Sequence, residues 1–434
     1  MRFALRAKSI LTLGGEAPAR GMPALNAPLR PLHNGILRIR GALLEAVETY
    51  PAFKKGGESL PVLDLGEVTL APGFVNCHCH LELSHLAGKT VRGQGFVPWL
   101  KSIADLTAET PSPEDLRAAV ASAAAQLTAG HTVHVGDVGS RAPLAVAEVL
   151  AQGDPPENGG KATESGREFL PPPQRDSLRD RLSPAPPALS ATHFLEAFGF
   201  AQPSSPLPPA LAAGGHAPPA AATLPEYLYP SCAISAHSLY STCAATLQAV
   251  RGWCRENKRP FSLHLAESFE ETLCLREGRG ALYQFLQARL LPADWRAPGL
   301  APTPFAARLG LLGPDTLAIH CTQCEAKDIS TLQQNGVSCC LCPRSNAFIG
   351  TGRAPALDMA DAGILLCLGT DGLSSNQDLD MGREMRAAQK IWGFSPQAVL
   401  RMATLNGAHA LGLSRKLGSL EPGKLAAVSL ISDC

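Results

Sequence analysis

Eight apolar runs of strand length recur between residues 73 and 372, and most of them end in polar residues able to do chemistry. Helical stretches follow several of the runs, for example at residues 243–258 and 325–336. Strands that alternate with helices predict a parallel sheet, and eight such units indicate an α/β fold of the (β/α)8 TIM-barrel type. The chemistry of such a barrel lies at the carboxyl ends of its strands. The eight runs are GFVNCHCH, HTVHVGDVG, HFLEAFGF, YPSCAISAHS, PFSLHLAES, TLAIHCTQC, GVSCCLCPRSN and GILLCLGTDG.

The segments on either side of this pattern predict a second, smaller domain. Residues 1–70 hold short β-type runs between glycine and proline, and residues 415–434 add a turn and one more strand. Together they predict a small discontinuous β-sandwich domain, which leaves residues 71–414 to the barrel. Two proline-rich stretches, 153–192 and 201–230, flank the third run and predict long, poorly ordered surface insertions.

Composition excludes several classes of protein. Lys and Arg together number 38, as do Asp and Glu, and no basic tract is present, so we expect no nucleic-acid partner. No apolar run reaches the roughly 18 residues of a transmembrane helix, so we expect no membrane partner. The odd count of 13 cysteines and the lack of a signal-like start predict reduced thiols in a cytoplasmic protein. The oligomeric state stays open, with a homodimer as one alternative.

Metal-capable side chains stand at the ends of several predicted strands. His78 and His80 are two residues apart, so both imidazoles point to the same face of one strand. His264, His320 and Asp371 each end a different strand. A barrel brings these ends to one mouth, and a buried aspartate after an apolar run is costly unless it is paired or binds a metal. The pattern therefore predicts a metal site.

In combination, the motifs resemble those of the metal-dependent amidohydrolase superfamily, in its branch of purine-nucleoside and related deaminases. The resemblance extends from about residue 60 to the C-terminus, apart from the proline-rich insertions. Within that branch the chain looks most like the aminodeoxyfutalosine deaminases of one route to menaquinone, through HCHLELSHLAGKTVRGQGFVPWL, SAHSLYST and CPRSN. The wider resemblance rests on GFVNCHCHLELSHL, LHLAES, AIHC, CPRSN and LGTDGLSSN.

The resemblance implies one divalent metal ion, zinc or iron, that activates a water molecule. A bridging lysine of dinuclear relatives is absent from the fourth run, which favours a single ion. Glu267 would take the water proton and deliver it to a ring nitrogen of the substrate. His320 would orient the attacking oxygen or polarise the reacting carbon, and Asp371 could relay a proton. The implied metal ligands are His78, His80, His264 and Asp371.

Four further residues are candidate substrate contacts, each with a packing or structural role as the alternative. His237 maps to a histidine near the ribose hydroxyls in the nucleoside deaminases. Trp99 could wall the pocket or stack on a ring. Glu82 could contact substrate hydroxyls or groups behind the metal ligands. Arg344 could pair with an anionic group, such as the benzoate of aminodeoxyfutalosine.

The predicted activity is the hydrolytic deamination of the 6-amino group of an adenine-type nucleoside, with aminodeoxyfutalosine favoured. Alternatives within the superfamily are deamination of 5'-methylthioadenosine, S-adenosylhomocysteine or guanine, or chlorohydrolysis of a triazine. A non-catalytic scaffold with the same fold is a further alternative. Such relatives usually lose metal ligands, whereas this chain keeps every expected position.

Overall fold

The strands of this chain form two sheets, a small mixed sheet and a large parallel one. A computed structural model describes residues 2–152, 189–200 and 232–431. The small sheet has six strands and draws on both ends of the described chain. Its strands are β1 (Arg2–Ile10), β2 (Leu32–Arg40), β3 (Leu43–Thr49), β4 (Val62–Asp64), β5 (Thr69–Pro72) and β14 (Val428–Ile431).

The large sheet contains eight parallel strands that neighbour one another in chain order. One strand falls in each of the eight predicted runs, so the predicted (β/α)8 barrel is confirmed. Strands β10 to β13 are buried along their whole length, as near-continuous apolar runs of parallel strands require. These strands are β6 (Phe74–Cys79), β7 (Thr132–Gly139), β8 (Ser190–Ala197), β9 (Cys232–Ser238), β10 (Phe261–Leu265), β11 (Thr316–His320), β12 (Ser338–Leu341) and β13 (Leu365–Leu368).

The first and last barrel strands lie side by side at their carboxyl ends. The backbone N–H of Asp371, just after β13, donates to the carbonyl oxygen of His78 in β6 over 3.0 Å. The Asn76 side chain also links the two strands, since its Oδ1 accepts from the backbone N–H of Thr370 at 3.1 Å. This contact brings both ends of the sheet to the same rim, where the metal-capable side chains from the ends of four strands can meet.

Helices surround the barrel in the described part of the chain, and each of them is too short or too polar to span a lipid bilayer. A short 3-10 turn at Leu81–Leu86 follows β6 directly. The helices are α1 (Met22–Leu25), α2 (Tyr50–Lys55), α3 (Phe96–Leu106), α4 (Pro113–Ala129), α5 (Pro143–Gln152), α6 (Ala244–Glu256), α7 (Phe269–Glu277), α8 (Ala281–Gln287), α9 (Pro302–Arg308), α10 (Ala326–Gln334), α11 (Pro343–Ile349), α12 (Ala356–Asp361), α13 (Met381–Trp392), α14 (Pro396–Ala403) and α15 (Leu405–Ala410).

The small sheet includes the late strand β14, which pairs antiparallel with β5. We expected a sandwich, but the six described strands belong to a single sheet. The predicted boundary at residue 70 falls inside β5, because that strand pairs with β1 and β14 and not with the barrel. Most of the two proline-rich stretches, residues 153–188 and 201–231, lies outside the described residues. The first insertion was predicted to reach residue 192, but β8 already begins at Ser190.

Gly136 in β7 provides a test of barrel packing. A Cβ atom at this position would lie 2.5 Å from the carbonyl oxygen of Cys77 in β6, and backbone cannot move aside as a flexible side chain can. We expect Gly136→Ala to lower the free energy of unfolding by about 1–3 kcal/mol. Gly252 in α6 is the matched control, because its added methyl would meet no atom within 4 Å.

Urea unfolding monitored by circular dichroism measures both variants. Gly252→Ala should raise the free energy of unfolding by about 0.5–1 kcal/mol, since alanine favours a helix interior over glycine. Equal unfolding midpoints for Gly136→Ala and the unsubstituted protein would contradict the packing described for β6 and β7.

Candidate active site

The strand-end residues predicted to bind a metal come together at the carboxyl rim of the barrel. His78 and His80 come from the end of β6, His264 from β10, and Asp371 from the loop after β13. The Nε2 atoms of His80 and His264 are 3.3 Å apart. An Asp371 carboxylate oxygen lies 3.5 Å from His78 Nε2 and 3.7 Å from His80 Nε2. The fifth residue, His320 at the end of β11, completes a second close group with His78 and His264.

Hydrogen bonds fix the orientation of three of these imidazoles. Nδ1 of His80 donates to a main-chain oxygen of β7 at 3.0 Å, and Nδ1 of His264 donates to a main-chain oxygen of β9 at 2.8 Å. Nδ1 of His320 donates to the side-chain oxygen of Asn346 at 2.8 Å. Because each acceptor can only accept, Nδ1 carries a proton in each ring, which leaves Nε2 as the nitrogen that can bind a metal. Neutral imidazoles with a free Nε2 are the form that binds metal.

The donor atoms fit a divalent cation. His78 is fully buried, and within the described residues neither of its ring nitrogens has a hydrogen-bond partner. Burial lowers the pKa of His78 to about 4, so this ring is neutral as well. The lone pairs of His80 and His264 face each other over 3.3 Å, an arrangement that repels unless a cation lies between them. One carboxylate and three imidazoles around a common point are a ligand set typical of zinc or iron.

Three donors hold the carboxylate of Asp371. Oδ2 accepts from the hydroxyls of Ser345 at 2.6 Å and Ser375 at 2.8 Å, and Oδ1 accepts from the Gly372 N–H at 2.9 Å. Burial would raise the pKa of Asp371, but the nearby imidazoles of His78, His80 and His320 lower it well below its usual range. The carboxylate is therefore ionised and oriented before any ligand binds.

The backbone bends sharply where these strands end. Ala266, His320 and Asp371 have φ angles of 51°, 70° and 57°, in the left-handed region that residues with a Cβ atom rarely adopt. The first two angles stand at the ends of β10 and β11, and the third follows β13. These bends turn the chain out of the strand and place the functional side chains on the barrel mouth.

Glu267 lies beside the histidine cluster and is 4% exposed. Its Oε1 is 3.6 Å from Nε2 of His320. The backbone around it is fixed, because its N–H donates to the Glu271 carboxylate at 2.7 Å and its carbonyl accepts from the Thr322 hydroxyl at 2.6 Å. Burial raises the pKa of Glu267 well above its usual range, and the negative charge of Asp371 raises it further. A carboxylate with a raised pKa can both accept and donate a proton near neutral pH.

A cavity of about 330 Å³ opens above this cluster, within the size range of small-molecule sites. It contains most of the predicted site residues. One wall is apolar and comes from α3 and α8, and the opposite wall is polar and comes from the ends of β8 and β9. Residues that line the cavity include His80, Glu82, Trp99, Leu100, Ile103, Arg141, Glu196, Phe198, His237, His264, Glu267, Phe285, Arg289, His320, Asp371 and Ser374.

Trp99 and His237 both line this cavity. The indole N–H of Trp99 donates to the carbonyl oxygen of Ser374 at 2.9 Å, which fixes its ring against the loop behind Asp371. Nδ1 of His237 is 2.7 Å from the Ser241 hydroxyl, and burial lowers the pKa of His237 to about 3. Both rings thus present fixed, uncharged surfaces to a bound molecule.

Glu82 borders the cavity, but its carboxylate already has partners. Its two oxygens accept the backbone N–H groups of residues 140–142 at 2.7–3.2 Å. These bonds tie the turn after β6 to the loop after β7. Of its two predicted roles, support of the site therefore fits the geometry better than contact with substrate hydroxyls.

Arg344 lies outside the cavity. Its guanidinium makes a two-point ion pair with Asp378, with N–O distances of 2.7 and 2.9 Å, and it also approaches Glu384 at 3.4 Å. It borders a separate groove between α11 and α13. This geometry does not favour the predicted contact between Arg344 and an anionic substrate group, because the guanidinium lies outside the cavity and already pairs with Asp378.

Three residues that the sequence analysis did not single out also line the cavity: Glu196, Arg141 and Arg289. Glu196 stands near the carboxyl end of β8, in the run HFLEAFGF, so its position at a strand end was a usable signal. Burial raises the pKa of Glu196 to about 7. The two arginines follow β7 and α8, and nothing in their local sequence indicates that those loops meet at the barrel mouth.

Comparisons with known proteins agree with this geometry. Residues 231–433 match the model of the Amidohydrolase family. The chain is 34% identical over 204 residues to a 5-methylthioadenosine/S-adenosylhomocysteine deaminase of Teredinibacter turnerae, covering 45% of this chain and 42% of that protein. It is 31% identical over 203 residues to a 5'-deoxyadenosine deaminase of Methanobrevibacter smithii, covering 45% and 42%. The matched part spans about two fifths of the length of these curated relatives.

Two solved structures share the fold over nearly the whole chain. The aminofutalosine deaminase of Helicobacter pylori, in complex with methylthio-coformycin, superposes with a TM-score of 0.77 at 19% identity, covering 100% of this chain and 92% of that one. An adenosine deaminase from Xanthomonas campestris with bound zinc superposes with a TM-score of 0.72 at 22% identity, covering 99% and 84%. At these identities the two superpositions establish the barrel with its added sheet.

Proposed function

Since residues 231–433 carry an Amidohydrolase family domain, we propose that this chain is a hydrolase that deaminates an adenine-type nucleoside at its 6-amino group. One observation carries the proposal. A ligand set for a divalent ion and a buried carboxylate with a raised pKa, Glu267, stand side by side at the base of a cavity of nucleoside size.

The residues around the cavity have separate roles in the proposed reaction. When bound, a divalent ion supplies a water molecule of lowered pKa. Glu267 takes a proton from that water and delivers it to the ring nitrogen next to C6, while the water oxygen adds to C6. The amino group then leaves as ammonia after receiving the second water proton, and the C6 oxo product remains. His320 lies 3.6 Å from Glu267 and orients the attacking oxygen.

We propose a single ion, zinc or iron, held by His78, His80, His264 and Asp371. Among the described residues, His78, His80 and Asp371 form one close group, and His264 adjoins it through Nε2 of His80 at 3.3 Å. The zinc in the structure of the Xanthomonas campestris deaminase favours zinc as the first metal to test.

For the substrate we propose aminodeoxyfutalosine, which would place the enzyme in menaquinone biosynthesis. The cavity extends from the metal ligands along an apolar wall that includes Leu100, Ile103 and Phe285. Two guanidinium groups, of Arg141 and Arg289, border the same cavity. An apolar wall with cations beside it suits a nucleoside whose 5'-substituent is an aryl group with a carboxylate.

A second candidate is the deamination of 5'-methylthioadenosine or S-adenosylhomocysteine. The curated relatives with that activity, at 34% identity, favour it. S-adenosylhomocysteine also ends in a carboxylate, so the same two arginines are compatible with it. The apolar residues Leu100, Ile103 and Phe285 in the wall favour the aryl substituent over the short methylthio group.

We also propose where the enzyme is located and which partner it binds. We place the enzyme in the cytoplasm, because the twelve cysteines among the described residues are free thiols. Its partner is a small-molecule nucleoside and not a nucleic acid, and a homodimer remains one alternative for its assembly.

A substrate panel tests the activity. Metal-analysed protein is assayed with aminodeoxyfutalosine, adenosine, 5'-methylthioadenosine, S-adenosylhomocysteine and guanine, with ammonia release as the readout. We expect turnover of the adenine nucleosides, with the highest kcat/KM for aminodeoxyfutalosine. One bound metal equivalent without turnover of any aminopurine would refute the deaminase proposal.

Replacement of Arg289 with glutamine tests the choice of substrate. Its guanidinium is about half exposed, so we expect kcat/KM for aminodeoxyfutalosine to fall only about two- to fivefold, with 5'-methylthioadenosine unaffected. Arg308→Gln is the matched control, because both arginines stack on a phenylalanine ring but only Arg289 lines the cavity. An equal loss for both nucleosides would count against an anionic 5'-substituent.

A further inference from the structure

Glu196 is a buried carboxylate that faces the cavity and has an oxygen without a partner. Its side chain is 6% exposed. Within the described residues, Oε1 is inaccessible to water and accepts no hydrogen bond. A buried polar atom without a partner destabilises the structure, and more so when the group is charged. A bound molecule that donates to the part of this carboxylate that lines the cavity would offset this cost.

The neighbouring histidine does not satisfy this oxygen. Oε1 of Glu196 lies 4.0 Å from Nδ1 of His264. That N–H already donates to the carbonyl oxygen of His237 at 2.8 Å. Glu196 therefore faces the metal ligand without being its hydrogen-bond partner.

A second cation site does not explain the carboxylate well. Glu196, His237 and His264 lie close enough together to hold an ion. However, both nitrogens of His264 are already engaged, Nδ1 with a carbonyl oxygen and Nε2 opposite His80 at the first site. One carboxylate and one imidazole remain, which are too few protein ligands for a tight transition-metal site.

The surroundings of Glu196 match an uncharged hydroxyl donor. Beside it stands His237, whose Nδ1 lies 2.7 Å from the Ser241 hydroxyl and whose ring packs edge-on against Phe198 with centroids 5.4 Å apart. The ring of His264 lies between Glu196 and the other metal ligands, because its Nδ1 faces Glu196 and its Nε2 faces His80. A group that contacts Glu196 therefore lies away from the reacting carbon, as the sugar of a nucleoside does when its base meets the metal.

We propose that Glu196 accepts a hydrogen bond from a ribose hydroxyl and so makes the enzyme select ribonucleosides over deoxyribonucleosides. This inference rests on the proposed nucleoside deaminase function. Glu196 and His237, from the ends of neighbouring strands β8 and β9, would form one hydroxyl-binding wall. Loss of a hydroxyl that donates to Glu196 would leave a buried carboxyl oxygen without a hydrogen-bond partner.

A cycle of residue and substrate changes tests this role. Glu196→Met removes the acceptor at similar length, and Glu196→Gln restores a neutral acceptor. Adenosine, 2'-deoxyadenosine and 3'-deoxyadenosine are compared by kcat/KM with metal-loaded protein. The unsubstituted enzyme should lose about 10–100-fold on the analogue that lacks the contacting hydroxyl. Glu196→Met should lose as much on adenosine but nothing further on that analogue, with Glu196→Gln in between.

Controls separate this role from a structural one. Glu82→Gln, in a carboxylate whose oxygens bind backbone N–H groups, should lower kcat/KM for all three nucleosides by the same factor. The proposal is overturned if Glu196→Met also affects all three equally. It is overturned as well if the protein binds two metal equivalents and Glu196→Met binds one, since Glu196 would then be a metal ligand.

Direct binding keeps this test independent of turnover. Calorimetric titration of the same nucleosides into a Glu267→Gln background should show the same 10–100-fold preference, and Glu196→Met should abolish it. Absence of turnover in the unsubstituted enzyme would refute the deaminase function, whereas turnover without hydroxyl preference would refute only the role of Glu196.

Discussion

Replacement of Glu267 with glutamine is expected to lower kcat for deamination by about 10²–10⁴-fold, the range of general acid–base catalysis. The amide cannot take a proton from water or deliver one to the ring. Because its size is unchanged and the backbone bonds to Glu271 and Thr322 remain, the variant should fold normally and bind one metal equivalent. Steady-state kinetics with metal analysis and circular dichroism measure these properties.

Glu271→Gln is the matched control for this experiment. Glu271 is also buried, and burial raises its pKa to about 8, but it meets the backbone of Glu267 and does not line the cavity. Its substitution should lower kcat by no more than about tenfold, the worth of one hydrogen bond. If Glu267→Gln kept a tenth or more of the activity, another group would have to transfer the proton.

Removal of the metal is expected to lower the rate about 10³-fold or more, because metal activation of water is worth several kcal/mol. It should also lower the melting temperature, since an ion that binds only the folded state stabilises it by about 4 kcal/mol at a thousandfold excess over Kd. Dialysis against a chelator, followed by titration with zinc or ferrous iron, measures both effects. Activity should return in full at one equivalent.

Two histidine variants test whether the assigned ligands bind the metal ion. His78→Gln should abolish metal binding, since both ring nitrogens of His78 are buried at the site. His134→Gln is the control, because His134 is also buried in the barrel but its nitrogens contact the hydroxyls of Ser190 and Thr192. Full activity of the chelated protein, or equal metal content in both variants, would contradict the assigned site.

The barrel and the metal cluster could be predicted because both depend on local patterns. Each buried parallel strand is a short apolar run that can be recognised without knowing its neighbours. Once eight strands are placed in a barrel, the residue at each carboxyl end has a known location. This reasoning brought His78, His264 and Asp371 together from three distant segments.

The remaining contacts depend on loops whose paths the local sequence does not specify. Arg344 looked free for an anion, but its partners Asp378 and Glu384 lie 34 and 40 residues further along the chain. Glu82 looked like a substrate contact because nothing nearby indicated that the loop after β7 returns to its carboxylate. Glu196 was missed because a single acidic residue in an otherwise ordinary run carries little weight without the cavity beside it.

The left-handed bends at the barrel mouth set a limit on how far this protein can be stabilised. Each non-glycine residue in that conformation costs on the order of 1–3 kcal/mol. Glycine would relieve the cost at His320 and Asp371 but would also delete the imidazole or the carboxylate that the bend presents. Of these three residues, only Ala266 could be replaced by glycine without loss of a reactive group. Thermal robustness and catalytic competence therefore compete directly at His320 and Asp371, and thermostabilising changes belong in the rest of the barrel.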